Sequence, residues 1–495
     1  QSDAYQWGFA TVAVWSSHLD PSDGVMLDIS PAGIGNATDF PVSIADYPNF
    51  YDQINGGTSA SGYTTNPVTG QPYAPNLVPR GDYARVIAEF WADGPDSETP
   101  PGHWFTILNE YVSDHPDFEK RIGGQGEEVG DIEWYVKSYF MLGGAMHDAA
   151  VTSWGIKGWY DYLRPVSAIR AMADRGQSTD TDLPSYDPQG IPLIDGYIEL
   201  VGLGDPLAGV GNVNLGKIKL KAWLGHDVIN NVDTDEAGVD WILAENWVPY
   251  QRPSFVTPNF AGYVSGHSTF SRTAATVLTS LTGTPYFPGG MGSFLAEQDE
   301  FLVFENGPSV DVELQWATYQ DAANESALSR IWGGIHPPAD DIPGRIMGTQ
   351  IGMDAFQKAM SYFADEDGNG YPDLCQSCEA GVACDDGDPS TFDDVLDEAC
   401  NCVGTPCPEA GTACDDGDAT TFNDVEDGMC NCVGTPCPEA GTACDDGDAT
   451  TFNDVEDGLC NCIGTPCPEA GTACDDGDAT TFNDVEDGMC NCVGT

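Results

Sequence analysis

Three short stretches of this 495-residue chain gather scarce cations, imidazoles and a hydroxyl at spacings suited to gripping one oxyanion. In Lys157 to Pro165, KGWYDYLRP, the two basic residues Lys157 and Arg164 are seven apart. On one continuous helix that spacing puts both on one face, two turns apart, where two long cationic side chains can hold a single anion. Pro165 predicts that this helix ends near Arg164, because proline disfavours helical geometry in the residue before it. In Tyr263 to Ser271, YVSGHSTFS, a Ser265-Gly266 pair introduces an apolar-periodic run. It offers a hydroxyl and free backbone N–H groups at a helix N-terminus, with Gly266 allowing close backbone approach and His267 alongside. In Ser329 to Asp340, SRIWGGIHPPAD, Arg330 adds a guanidinium, His336 a second imidazole and Asp340 a carboxylate able to orient it. One Lys, two Arg, a Ser hydroxyl, backbone N–H, one His to bond a phosphate-shaped oxyanion and one to move protons form a complete site. Singly, each has a plainer reading as a helix charge, a loop or a turn, and arginines in so acidic a chain can simply pair with carboxylates. The joint pattern carries the inference.

Helices must position these residues. Apolar residues recur at three-to-four spacing in Tyr83 to Trp91, Trp104 to Val112, Ile132 to Ala150, Ile156 to Met172, Trp223 to Ile229, Phe270 to Leu281, Val312 to Ile331 and Ile346 to Phe363, and strand-like alternation is scarce. The expected fold is mainly α: a helical bundle with long irregular connections over residues 81–364, preceded by a Gly-, Pro-, Asn- and Asp-rich irregular wrap over 1–80.

All 17 cysteines lie between Cys375 and Cys492, so the front part must be stabilised by packing and the rear by crosslinks or metal ions. The formal charge of −62 is divided unevenly: residues 375–495 hold 29 acids and no Lys or Arg, leaving 50 acids against 17 bases in front. Such a surface repels nucleic acid and anionic membranes. No stretch approaches the roughly 20 apolar residues of a membrane span, and no signal segment opens the chain, so Gln1 reads as the start of a processed protein. With its cysteines, this points to a secreted or cell-surface location.

From Cys378 the sequence repeats with a period of 30 residues, in units of about 378–406, 407–436, 437–466 and 467–495. Four cysteines per unit allow two internal disulfides in one of three connectivities, leaving Cys375 free or bonded to another chain. The linker 365–374 contains DEDGNGYPD, whose Asp365, Asp367, Asn369, Tyr371 and Asp373 follow the first part of a calcium loop. In the repeats Asp416, Asp418, Thr420, the Phe422 carbonyl, Asp424 and Asp427 fall at loop positions one, three, five, seven, nine and twelve, although Thr421 replaces the usual central Gly. An acidic spacer is the competing reading of both.

The order K-x6-RP, SGH, SR-x5-H-x3-D, spanning roughly Trp154 to Asp340, resembles the superfamily that joins vanadium haloperoxidases and type 2 phosphatidic acid phosphatases. One departure is Val264, where that superfamily usually has Pro. The resemblance implies vanadate as cofactor, with Lys157, Arg164 and Arg330 neutralising its equatorial oxygens, Ser265 and the Gly266 N–H bonding them, His336 as axial ligand and His267 as acid–base partner. Trp154, three residues before Lys157, and Phe260, seven before His267, match aromatics beside the halide in the chloroperoxidase-like branch, the alternative being core packing. The implied reaction is oxidation of halide, iodide or bromide, by hydrogen peroxide to hypohalous acid, with a small organic acceptor as a further partner, Lys157 polarising the peroxide and no haem. The same site in a phosphatase implies a phosphohistidine at His336 oriented by Asp340. The units also resemble tandem Cys-Asp repeats of bacterial cell-surface proteins, which implies a different class of role: homo-oligomer or surface assembly, with the enzyme as cargo.

Overall fold

The computed structural model describes residues 3–35, 39–94, 98–363, 383–384, 387–388, 390–396 and 402–495. Asp365, Asp367, Asn369, Tyr371, Asp373 and Cys375 lie outside the described residues. The chain divides into two compact units, 1–363 and 364–495.

In the first unit the described helices are α1 (Asp3–Trp15), α2 (Tyr47–Phe50), α3 (Arg80–Phe90), α4 (Pro100–Thr106), α5 (Asp131–Tyr160), α6 (Pro165–Arg175), α7 (Gly266–Thr282), α8 (Tyr319–Trp332) and α9 (Pro338–Met360). The expectation of an irregular wrap over 1–80 misses α1. Its residues from Gly8 to Trp15 are all buried, so this segment is part of the core. Two further periodicities mislead. Trp223 closes a strand, Ile218–Trp223, which is the middle of a three-stranded antiparallel sheet with Ile198–Leu200 and Val239–Leu243. The alternation Ile218, Leu220, Ala222 is the better guide there, since all three are buried. Likewise Val312–Trp316 is a strand paired with Gly292–Ala296, and α8 begins only after Thr318, whose side chain and that of Asp321 form a capping box.

The bundle centres on α7, which packs against α5, α8 and α9 and is buried over nearly its whole length. Its contact with α9 is backbone to backbone. Gly344, Gly348 and Gly352 recur every four residues, so they share one face of α9. A Cβ at Gly348 would stand 2.6 Å from the Thr269 carbonyl oxygen, and one at Gly352 would stand 2.7 Å from that of Thr273. A side chain there would have to push the two helices apart. Gly348→Leu is therefore expected to cost roughly 3 kcal/mol, the upper end for overpacking, read as a lower denaturant midpoint for the first unit. An unchanged midpoint would refute the close packing.

In the second unit each complete repeat forms a two-stranded antiparallel hairpin, such as Thr421–Glu426 with Cys432–Pro436, whose register breaks between Phe422 and Val425. Asn423 takes a positive φ of 53° at the break, where a bulge needs an unusual backbone. Seven disulfides join described cysteines, and they resolve the connectivity. Within a unit the first cysteine pairs with the third and the second with the fourth, as in Cys407–Cys430 and Cys414–Cys432. No described residue of this unit is fully buried, so crosslinks take over from a core, as its composition predicts.

Candidate functional site

The first motif does not lie on one helix. Asp161 adopts a left-handed conformation that ends α5, and Arg164 is extended at φ −86°, ψ 154° as the residue before α6, whose first position is Pro165. Proline at the start of a helix is favourable and forces its predecessor Arg164 out of helical geometry, while the left-handed Asp161 ends α5 four residues earlier than expected. Lys157 thus comes from the last turn of α5 and Arg164 from the α5–α6 loop, and they converge by folding rather than by helical periodicity.

Lys157 Nζ donates to the carbonyls of Gly262 at 2.7 Å and Ala261 at 3.1 Å, which leaves one donor free. Arg164 donates from Nε to the Phe260 carbonyl and from Nη1 to the Ile335 carbonyl. Arg330 donates from Nη1 to the Trp91 carbonyl, while its buried Nε has no partner. None of the three makes an ion pair with a described residue, although all are buried. Burial, reinforced by the Arg164 charge, pulls Lys157 down to about 7, and burial lowers Arg164 and Arg330 to about 10. Three desolvated cations that form no ion pair with a described residue, and that feel only Asp340 and Asp93 electrostatically, are costly to hold together, and an anion among them would relieve the cost.

Ser265 precedes the first residue of α7, and its Oγ accepts the Ser268 N–H, so the Val264 departure leaves the helix cap intact. Its own N–H donates to the Asp340 carbonyl, tying this turn to the start of α9. Gly266 begins the helix beneath Trp154: a Cβ there would stand 3.3 Å from the indole carbons. Ser268 Oγ is buried without a partner near the same helix end.

His336 sits between α8 and α9. Its Nε2 lies 2.9 Å from Arg164 Nη1 and its Nδ1 lies 2.7 Å from Asp340 Oδ2. A guanidinium can only donate, so Nε2 accepts and the ring proton resides on Nδ1, donated to Asp340. Burial and the surrounding Arg164, Lys157 and Arg330 charges hold His336 well below the ordinary imidazole range, which keeps it neutral. Burial pushes Asp340 up to about 8 against the pull of Lys157 and Arg164. His267, lowered to about 4 by burial and by Arg330, bonds through Nε2 to Asp93 Oδ2 at 3.0 Å.

Asp93 is the residue that the sequence motifs miss. Its other oxygen accepts from His103 Nδ1 at 3.0 Å, and the two imidazole bonds overcome burial to hold Asp93 below the usual carboxylate range. Nothing in Trp91-Ala92-Asp93-Gly94 separates this acid from the many others; only the fold brings it to His267.

Lys157, Arg164, Gly266, His267, Arg330 and His336 line one cavity of about 310 Å³. Ser265 and Asp340 stand behind its wall. Trp154 and Phe260 border it with ring centroids 5.4 Å apart, and at 44% and 40% exposure neither is core packing. Both rings also lie near the Lys157 ammonium, at 5.7 and 5.5 Å.

The motifs fall inside one family match, which runs over residues 137–365. The match is to the family described as the VCPO second helical-bundle domain, and it covers a little under half of the chain. The matched stretch begins within α5 and ends just past α9, so it encloses every lysine, arginine and histidine of the three motifs, whereas Asp93 and His103 lie upstream of it. Among solved structures, a holo-type bacterial vanadium-dependent chloroperoxidase is 18% identical at a TM-score of 0.37, covering 56% of this chain and 44% of its own. A bacterial vanadium-dependent iodoperoxidase is 20% identical at a TM-score of 0.30, with the same coverages. The chain thus spans less than half the length of these structures. No curated protein matches it.

The depressed Lys157 makes a measurable prediction. Near pH 8 the free site holds Lys157 largely neutral; a bound dianion raises its pKa, so binding takes up a proton and weakens as pH rises through this range. Calorimetry with tungstate, itself a dianion at that pH, in two buffers of different ionisation enthalpy should show proton uptake. Lys157→Met should reduce the uptake, the remainder belonging to Asp340, which burial lifts to about 8; equal heats in both buffers for the parent chain would refute it.

Proposed function

We propose that this protein is a vanadium-dependent haloperoxidase that oxidises halide with hydrogen peroxide. The observation that carries the reading is the single cavity ringed by three unpaired buried cations, a helix N-terminus and two neutral imidazoles, walled on one side by Trp154 and Phe260. The residues fit vanadate: Arg330 Nε is a buried donor without an acceptor, and none of the trio makes an ion pair with a described acidic residue. Lys157, Arg164, Arg330, Ser265 and the Gly266 N–H would hold its oxygens, and His336 would meet the metal. When bound, vanadate supplies a Lewis acid that activates peroxide toward halide without changing oxidation state.

The protein's own part is electrostatic and protic. His336 presents an Nε2 lone pair because Asp340 keeps the ring proton on Nδ1. Asp93 accepts at His267 Nε2, so His267 keeps Nδ1 free to take a proton from peroxide and return it to the leaving oxygen. Lys157, held beside both rings, would direct its remaining donor at the bound oxygens, and the aromatic pair would limit water beside the halide. Iodide, the easiest halide to oxidise, is the expected substrate, and bromide follows.

The same cradle suits a phosphatase acting through His336; the aromatic wall favours the peroxidase. The deciding assay incubates the protein with vanadate, peroxide and iodide or bromide, and separately with a phosphate ester. Vanadate-dependent halide oxidation is expected. Ester hydrolysis without it would overturn the proposal.

The repeats are read as calcium-binding modules of a secreted or surface protein. Asp416 and Asp424, with Asp415, bring ligand oxygens within 4.8 Å of one another, and the two following repeats do the same. Asp418 and Asp427 instead bond Thr420 and Asn431 in turns, so the ligand set centres on the first three. Calcium titration should release heat and raise protease resistance. Deleting 375–495 should leave halide oxidation intact, since every residue assigned to it lies in the first unit.

A further inference from the structure

His103 lies on α4 and is buried, and neither the three motifs nor the proton transfers described above use it. Its Nδ1 meets Asp93 Oδ1 at 3.0 Å, while Asp93 Oδ2 meets His267 Nε2 at the same distance. The Asp93 side chain is 1% exposed, and these two imidazoles are its only hydrogen-bond partners among the described residues. A carboxylate held below its usual range is ionised and can only accept, so both imidazoles donate to it. The proton positions follow: His103 carries Nδ1–H and His267 carries Nε2–H, which leaves the Nδ1 lone pair of His267 for the cavity.

The surroundings hold this bridge in place. Asp93 takes a left-handed φ of 53°, a conformation uncommon for a residue with a Cβ and kept where the side chain has a use. The His103 ring stacks on Trp91 at 4.5 Å and 21° and meets Phe90 edge-on at 4.6 Å. Trp91 in turn accepts from Arg330 through its carbonyl, so the indole beneath His103 is tied to the cation side of the cavity. The Nε2 of His103 bonds no described residue, and Asp93 is the ring's one polar commitment. Packing alone would be served by a phenylalanine without burying a polar ring. What the imidazole adds is the N–H at Asp93.

Sharing the carboxylate has a consequence for His267. One negative charge stabilises an imidazolium best when it serves no other donor. The groups that face His267 are Asp93 and His103 from the α3–α4 side, Arg330 from α8 and His336 from the turn before α9. Asp93 favours the protonated form of His267, and Arg330 and His103 oppose it. Of these, Asp93 and His103 lie outside the anion cradle. The paired bonds also fix the plane of the carboxylate, and with it the direction in which Oδ2 holds His267.

We propose that His103 is a positioning residue for proton transfer: its N–H fixes the Asp93 carboxylate and draws off part of its charge, which keeps His267 a weak enough base to return the proton it takes. This rests on the haloperoxidase reading, in which His267 moves the peroxide proton.

Two variants separate the donor from the ring. His103→Phe keeps the stacking and deletes the N–H, whereas His103→Asn keeps an N–H at the same number of bonds from the backbone and deletes the ring. In the vanadate-free full chain at neutral pH, the His267 Nε2–H proton resonance, assigned by its loss in His267→Ala, should move downfield in His103→Phe, because Asp93 then bonds His267 alone. In halide oxidation the acid limb of kcat/KM should move up by about one pH unit, a tenfold gain in proton affinity, the opposite of what loss of the Asp93 charge does. His103→Asn should return both towards the parent. A purely structural role predicts the reverse order, since Phe preserves the packing and Asn does not. An unmoved resonance and acid limb in His103→Phe, or changes in His103→Asn as large as those in His103→Phe, would overturn the proposal. A displaced resonance that Asn restores, in a protein that oxidises no halide, would overturn the haloperoxidase reading instead and leave His103 assigned to Asp93 and His267.

Discussion

His336→Ala is expected to abolish measurable vanadate binding and, with it, halide oxidation. The imidazole directs a ring lone pair at the cations: Arg164 donates to Nε2, and Nδ1–H is committed to Asp340. Removing it deletes the bond to the metal and also leaves Asp340, whose Oδ1 is already unpartnered, with a second buried oxygen unsatisfied. Losing a ligand and orphaning a charged group act in the same direction, so the dissociation constant should rise by about a thousandfold or more. Asp340→Asn should produce much of the same loss, because an amide can donate to Nδ1 and drive the ring proton onto Nε2. Equilibrium dialysis against vanadate measures both. Parent-like affinity in His336→Ala would show that the assigned axial ligand is wrong.

His267→Ala should behave differently. The cations and His336 remain, so vanadate affinity should stay within about tenfold of the parent, while kcat falls by roughly 10² to 10⁴, the usual worth of a positioned acid–base group. Asp93→Asn separates orientation from chemistry. Asp93 stabilises the protonated form of His267, so its loss lowers the imidazole pKa further from about 4 and moves the acid limb of kcat/KM to lower pH, with a milder fall in rate. Loss of vanadate binding in His267→Ala, or an unmoved acid limb in Asp93→Asn, would remove the proton-transfer role from this pair.

How far these residues were visible in advance depends on whether their roles are local. Ser265 and Gly266 were legible because a helix start has a short-range signature, and Arg330, His336 and Asp340 because their chemistry is written within a dozen residues. Lys157 and Arg164 were legible as residues but misplaced as geometry: a seven-residue interval fits two helical turns, but the left-handed Asp161 ends the helix before Arg164 is reached. Asp93 was invisible. It acts on His267 from 174 positions away, and no periodicity spans such a distance. The strands ending at Trp223 and Trp316 were hidden for another reason, since short apolar runs satisfy both periods and only their pairing decides. In the repeats, four cysteines define a crosslinked unit but not its wiring, which the hairpin register settles.

The glycine ladder of α9 has a consequence for how the protein fails under heat. Because Gly344, Gly348 and Gly352 rest on the backbone of α7, the gap between the Ser265 turn and the His336–Asp340 turn is ruled by main-chain atoms, which have no alternative rotamers to relax into. The anion cradle therefore has the tolerance of a machined joint, whereas the proton-handling arm hangs from Asp93, at the edge of a loop. On warming, turnover should decay before the cradle lets go of its anion, so a heat-aged sample would hold its cofactor while having lost the ability to use it.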